Sequence, residues 1–300
     1  MALAWLAPPL PGRSASAAAP ATDYGDSFVD VDDDGVWTPG TDVLLSDVIG
    51  PDGDGFDVDQ SYPNWTPQPT PVGVVLAGKL KLPTGLGIDA DTIIVDGSLT
   101  GYDDGSNIHL YADDTLRLTA RSKITNVGAL DLFGAQLAEL GDRVKLVSKE
   151  DGFMSVHSSV LTRVGEKVML QTGNLAEYAD VYISSDAGIE AAAGLRFKGA
   201  RYAAFELRAE NGDLALDRFN FRGHDLYVYA YGGGVARYIT MTNSYVAAKG
   251  EDAGISMWTG PGPGSVRPPD AITLTGTKFS APICDFTPSQ PPIQGCGEQY

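Results

Sequence analysis

Asp30-Val-Asp32-Asp-Asp34-Gly35 sets three carboxylates at alternate positions and follows them at once with a glycine. The chemistry this spacing suits is the binding of a hard cation. Calcium takes six to eight oxygens at about 2.3–2.6 Å, and Asp at positions 1, 3 and 5 of a tight loop supplies three from one side. Glycine at position 6 permits the φ > 0 turn that returns the chain to the ion. Position 7, Val36, then offers a backbone carbonyl. Asp42, further along the chain, offers another carboxylate that can close the site. The expected ligands are Asp30, Asp32, Asp34, Val36 and Asp42, with Ca²⁺ as the ion. Alternating acids recur at Asp52, Asp54, Asp57 and Asp59, a second candidate cluster or an extension of the first.

Such a loop must be held by flanking elements. Leu44, Leu45 and Val48 have the spacing of a short exit helix, whereas no entering helix is evident before Asp30. Over six residues the D-x-D-x-D-G run resembles the calcium loops of the EF-hand and dockerin families. The resemblance implies a bidentate Glu at position 12; this chain departs from it with Thr41 there, and Asp42 one residue later would close the site. That resemblance implies a calcium-ordered segment, and millimolar Ca²⁺ is an extracellular resource.

Composition narrows the function class. The chain has 300 residues with 39 acids against 21 bases, a net charge of −18. Residues 14–78 contain twelve of those acids and no Lys or Arg. Clustered bases are what phosphate neutralisation needs, so nucleic acid and anionic membrane surfaces are disfavoured partners. Asp far outnumbers Glu, and 36 glycines accompany it, which favours turns over helices. Residues 1–22 read as a secretory leader, with an apolar run over 2–10 and a small-residue cleavage site at Ala15-Ser-Ala17. The expected location is secreted or cell-surface. No run of about 18 apolar residues occurs, so no membrane-spanning helix is expected.

The only cysteines, Cys284 and Cys296, flank a Pro- and Gln-rich loop. In an oxidising compartment they read as a local disulfide stapling a tail, worth roughly 2–3 kcal/mol in the chain-entropy model.

The body, residues 72–282, is dominated by alternation of period two. Examples are Ile108-x-Leu110-x-Ala112, Val181-x-Ile183 and Leu226-x-Val228-x-Ala230. Alternation places one set of side chains on a buried face. A theme of short strand, polar bend and short strand recurs, as in Leu-Arg-Leu-Thr-Ala at 116–120 leading to Ile124 and Leu-Ala-Leu-Asp at 214–217 leading to Phe219. Rungs of about 20–30 residues with variable loops fit this recurrence, the pattern of a solenoid whose stacked units bury a shared core. The expected fold is all-β, a right-handed parallel β-helix, with a β-sandwich as the alternative. One window, Leu130–Leu140, has helical character.

Segments such as Val74-Val-Leu-Ala-Gly-Lys-Leu-Lys-Leu and Gly212-Asp-Leu-Ala-Leu-Asp are similar to rungs of filamentous-haemagglutinin-type adhesins and related bacterial surface proteins. The resemblance implies a structural or adhesive role, with partners in self-association, another surface protein or extracellular polysaccharide. Four segments result: 1–22 leader-like, 23–71 Asp-rich, 72–282 solenoid, and 283–300 a stapled tail.

No catalytic constellation stands out. Parallel β-helices also include polysaccharide lyases, so the enzymatic alternative is a polysaccharide-active or carbohydrate-binding β-helix. Its best basic and acidic cluster is Asp217-Arg218 with Arg222, His224 and Asp225, which equally reads as surface charge alternating with core residues. Tyr227, Tyr229 and Tyr231 alternate opposite Leu226, Val228 and Ala230. They form a candidate ligand face for stacking on sugar rings, or an aromatic ladder that stiffens the sheet.

Overall fold

The structure, a computed structural model, describes residues 24–48, 56–57, 73–82, 85–102, 107–149, 152–173, 178–232, 235–260 and 271–299. The chain winds into a β-solenoid of about 6 turns. Rung-to-rung pairing is parallel throughout the stack, as in Leu110↔Leu132, Leu132↔Val156 and Val156↔Ile183. A sandwich is thereby excluded, since sandwiches are built from antiparallel sheets. Rungs vary from 19 residues (Val74 to Ile93) to 33 (Val246 to Phe279), because the segments between the paired stretches vary.

Each rung contributes to three faces. The first runs through Leu130–Gly134, Met154–Ser158, Tyr178–Ser185, Tyr202–Ala209, Asp225–Ala230 and Gly254–Thr259. The second includes Leu137–Leu140, Leu161–Val164 and Gly188–Ala191. The third includes Lys123–Asn126, Lys145–Ser148, Met169–Thr172, Arg196–Lys198 and Asn220–Gly223. Alternation holds on all three, and the inward residues fill one continuous core. Its middle is aromatic: Phe197 lies at 4.8 Å from Phe205 and 5.4 Å from Phe221 between ring centroids, nearly parallel to both.

Residues 130–140 are not helical. They form two strands, Leu130–Gly134 and Leu137–Leu140, that turn the corner from the first face to the second. Leu130, Leu132, Ala138 and Leu140 point inward with period two. Gly134 marks the corner, where a Cβ would run into the Leu137 carbonyl. The apparent helical spacing arose from joining two strands across that bend.

The corner from second to third face repeats a device that sequence patterning does not display. Arg121, Arg143, Lys167, Gly194, Arg218, Asn243 and Gly276 all have positive φ there. Each of the first six donates its N–H to a carbonyl of the next rung, as Arg143 does to Glu166 at 2.7 Å and Lys167 to Ala193 at 3.1 Å. A non-glycine residue in this region costs on the order of 1–2 kcal/mol. Lys167→Gly is therefore expected to raise stability by about 0.5–1 kcal/mol after the entropy lost by glycine is set against the strain relieved. Lys167→Val should lower it, and urea melts of the two variants check both signs.

Both ends carry an added strand over part of the terminal rung. At the start, Phe28–Asp30 lies antiparallel on the edge strand Gly73–Leu82 and is itself paired with Val43–Leu44. At the end, Cys296–Gln299 pairs with Lys278–Thr287, and a disulfide joins Cys284 to Cys296. Covering an exposed edge removes a template for unwanted strand pairing. No helix among the described residues is long and apolar enough to cross a membrane.

Candidate functional site

The acidic loop grows out of the N-terminal cap. The register Phe28↔Leu44 and Val29↔Val43 carries the chain so that Asp30, after Val29, comes opposite Asp42, before Val43. Asp30, Asp32 and Asp42 each place a carboxylate oxygen within 4.8 Å of the others, an arrangement that could hold a metal ion. The strand pairing thus explains why the carboxylate one residue past the usual closing position is the one that meets the loop. Asp34 is not part of this cluster; its Oδ1 accepts the Val36 N–H at 2.7 Å. The Val36 carbonyl accepts the Thr38 hydroxyl at 3.4 Å. Leu45–Val48 is the short exit helix the spacing suggests.

Asp30 and Asp42 also scaffold the loop. Asp30 accepts N–H bonds from Asp34 at 3.3 Å and Gly35 at 2.6 Å. Asp42 accepts from Val31 at 3.0 Å and Thr38 at 2.6 Å. Asp30 is 1% exposed and Asp42 6%, whereas Asp32 opens to solvent. Burial pushes the Asp30 carboxyl above the ordinary carboxylate range, against the pull of its two backbone donors, and the acids at 32 and 42 raise it further. Three carboxylates so close together, two of them buried, are expensive without a counter-charge. Asp33, at φ 53°, packs against Gly73 and the Thr92 hydroxyl, which ties the loop to the first rungs. Of the second cluster, Asp57 is placed only by its backbone, which pairs with Asp89, and Asp52, Asp54 and Asp59 lie outside the described residues.

The tyrosine row does face outward. Leu226, Val228 and Ala230 are fully buried, and the Tyr227 and Tyr229 rings stack at 6.1 Å. Tyr231 packs on Trp258 at 5.5 Å, lies under the Arg208 guanidinium and donates to Glu210 at 3.1 Å. These residues are one end of a longer aromatic surface on the first face. Register aligns Tyr111, Phe133 and His157 in one column, with ring separations of 6.0 and 5.5 Å. Tyr182, Glu206 and Tyr227 align in the neighbouring column. Two adjoining hollows of about 310 and 440 Å³ open here, and Tyr182 and Glu206 line both. Sequence reading missed Tyr111, Phe133, Phe153 and Tyr182; spacings of 22 and 24 residues from Tyr111 to Phe133 to His157 match the rung length and were the available signal.

Acids accompany the rings. Asp131 accepts from the Tyr111 and Ser155 hydroxyls, and burial with that bond pushes the Tyr111 phenol up to about 12. Asp225 accepts the Gly254 N–H and pairs with His224, each at 2.9 Å. Burial raises the Glu206 carboxyl, with Arg208 opposing and Asp180 adding to the rise. A carboxyl raised on folding is penalised when ionised, so the penalty is present at pH values above its folded pKa and absent below its unfolded one. Glu206→Gln should accordingly melt higher than the parent at neutral pH, with the difference vanishing below the carboxylate range. Thermal melts at pH 7 and pH 3 measure it.

The lyase-type cluster does not assemble. Arg218 sits at the positive-φ corner, paired with Asp217 at 3.1 Å. Arg222 points out from the third face over the Tyr245 ring, while Asp225 belongs to the first. Compared with known protein families, characterised proteins and solved structures, the chain matches none.

Proposed function

We propose that this protein is a secreted or cell-surface structural and adhesive β-solenoid whose N-terminal cap is ordered by Ca²⁺. The observation that carries the reading is the Asp30, Asp32 and Asp42 triad at the junction of the antiparallel cap strands. Oxygen-only donors favour a hard cation. An ion there would neutralise the crowded carboxylates and lock the cap over the first rung. Adhesion and location outside the cell rest on the solenoid pattern, the leader-like start and the acidic character of the chain.

Calorimetric titration of the whole chain with Ca²⁺ tests the reading, repeated on Asp32→Ala, which removes the exposed ligand and leaves the backbone-bonded ones. Saturable binding weakened at least about tenfold in the variant supports it. Absence of binding at millimolar Ca²⁺ contradicts it.

A second reading is favoured by the aromatic hollows: the first face binds a neutral sugar chain by stacking on Tyr182, Tyr227 and Tyr229, with Glu206 and Asp180 as hydrogen-bonding acids. A polyuronate fits this acidic surface poorly.

A further inference from the structure

The three faces differ sharply in charge. On the second face a column reads Arg117, Glu139, Arg163, Glu190, each beside the next in register. The bases pair with the acids at 2.6, 3.9 and 3.0 Å. On the third face the corresponding columns carry no acid. One reads Lys79, Ser98, Lys123, Lys145, Met169, Arg196, Asn220, Tyr245, Lys278. The other contains Lys81, Lys198 and Arg222 among neutral residues. The segments of this face hold eight bases and no Asp or Glu, in a chain with 39 acids.

Two steps set base directly beside base, Lys123 by Lys145 and Lys198 by Arg222. Like charges opposite each other on neighbouring strands are destabilising, by up to about 1 kcal/mol. Among the described residues none of these eight bases forms an ion pair, whereas Arg117 and Arg163 in the second-face column both do. Where the columns meet the corner to the first face, Lys198, Arg201, Arg222 and Lys249 surround a hollow of about 370 Å³ with no acid in its lining.

We propose that the third face is a binding site for a linear anionic polysaccharide, its sulfate or carboxylate groups spaced along the basic columns and one seated among Lys198, Arg201, Arg222 and Lys249. Strands stack about 4.8 Å apart, so Lys145 and Arg196, two rungs from each other, stand about 10 Å apart along the axis. Arg201 and Arg222 supply planar forks suited to two-oxygen anions. A single-stranded nucleic acid is the weaker fit, because it wants aromatic platforms for its bases. The outward aromatic residue of these columns, Tyr245, already lies beneath Arg222 at 5.5 Å. The inference rests on the surface charge and is independent of the N-terminal cation.

The test uses the full chain with dextran sulfate as probe and neutral dextran of equal length as control. Lys198→Ser with Arg222→Ser changes two outward side chains, and Arg117→Ser serves as a matched change on the second face. Salt-sensitive binding of dextran sulfate, weakened at least about tenfold by the third-face pair and untouched by Arg117→Ser, is expected. No binding at low salt, or binding indifferent to the third-face pair, overturns the proposal. Tighter binding of a single-stranded polynucleotide of equal charge, lost in the same pair, would reassign the face to nucleic acid. Self-association without glycan that the pair abolishes would reassign it to a second copy of this chain.

Discussion

Phe197→Ala is expected to cost about 3–5 kcal/mol of folding stability, the range for truncating a buried aromatic residue. Phe197 is 1% exposed and lies between Phe205 and Phe221, with ring planes within 8° and 9°. Its strand pairs with Met169–Thr172 on one side and Asn220–Gly223 on the other, so the space left behind cannot close by strand movement. Gly199 and Gly223 already press on the ring, since a Cβ at either would come within 2.8 Å of it. In a solenoid each rung is held by its neighbours, so the damage falls on the coupling between the two halves of the stack. Urea unfolding of Phe197→Ala and Phe197→Leu measures this. A cost below about 1.5 kcal/mol for the alanine variant would mean that the interior is not packed as described.

The second large effect is expected at Asp42. Asp42→Ala removes the acceptor for both the Val31 and Thr38 N–H groups and one corner of the carboxylate triad. Leaving a buried donor unpaired costs about 1–3 kcal/mol, so the cap should lose about 2–4 kcal/mol of local stability. Cleavage by a nonspecific protease should then start within residues 24–48 while the rungs stay intact, and any cation binding at the triad should be lost. Asp42→Asn retains one acceptor and should fall between. Equal protease resistance in all three proteins would remove Asp42 from the cap.

The sequence made the rungs legible because alternation on a half-buried strand is written directly in side-chain polarity. Ile108, Leu110 and Ala112 face inward as their spacing requires, and so do Leu226, Val228 and Ala230. The corners were not legible. A positive-φ position normally advertises itself by glycine, yet here Arg121, Arg143, Lys167 and Arg218 occupy it, so the repeat hides among ordinary charged residues. Leu130–Leu140 misled because two strands joined at a bend imitate a helical spacing. In the acidic loop, Asp30, Asp32 and Asp42 were readable from carboxylate spacing, whereas the reason for Asp42 lies in the cap's antiparallel register. The basic third face was invisible for a different reason. Its residues are spread over 200 positions and converge only when the rungs are laid in register.

Hydrogen exchange along the full chain, with millimolar Ca²⁺ and then with a chelator, tests the cation-ordered cap most directly. Ca²⁺ should slow exchange at least about tenfold in 28–31 and 42–45 and in the covered edge 73–76, leaving the rungs beyond 130 unchanged. Identical exchange in both conditions would contradict the account and leave Asp30, Asp32 and Asp42 as a loop held by its own backbone bonds alone.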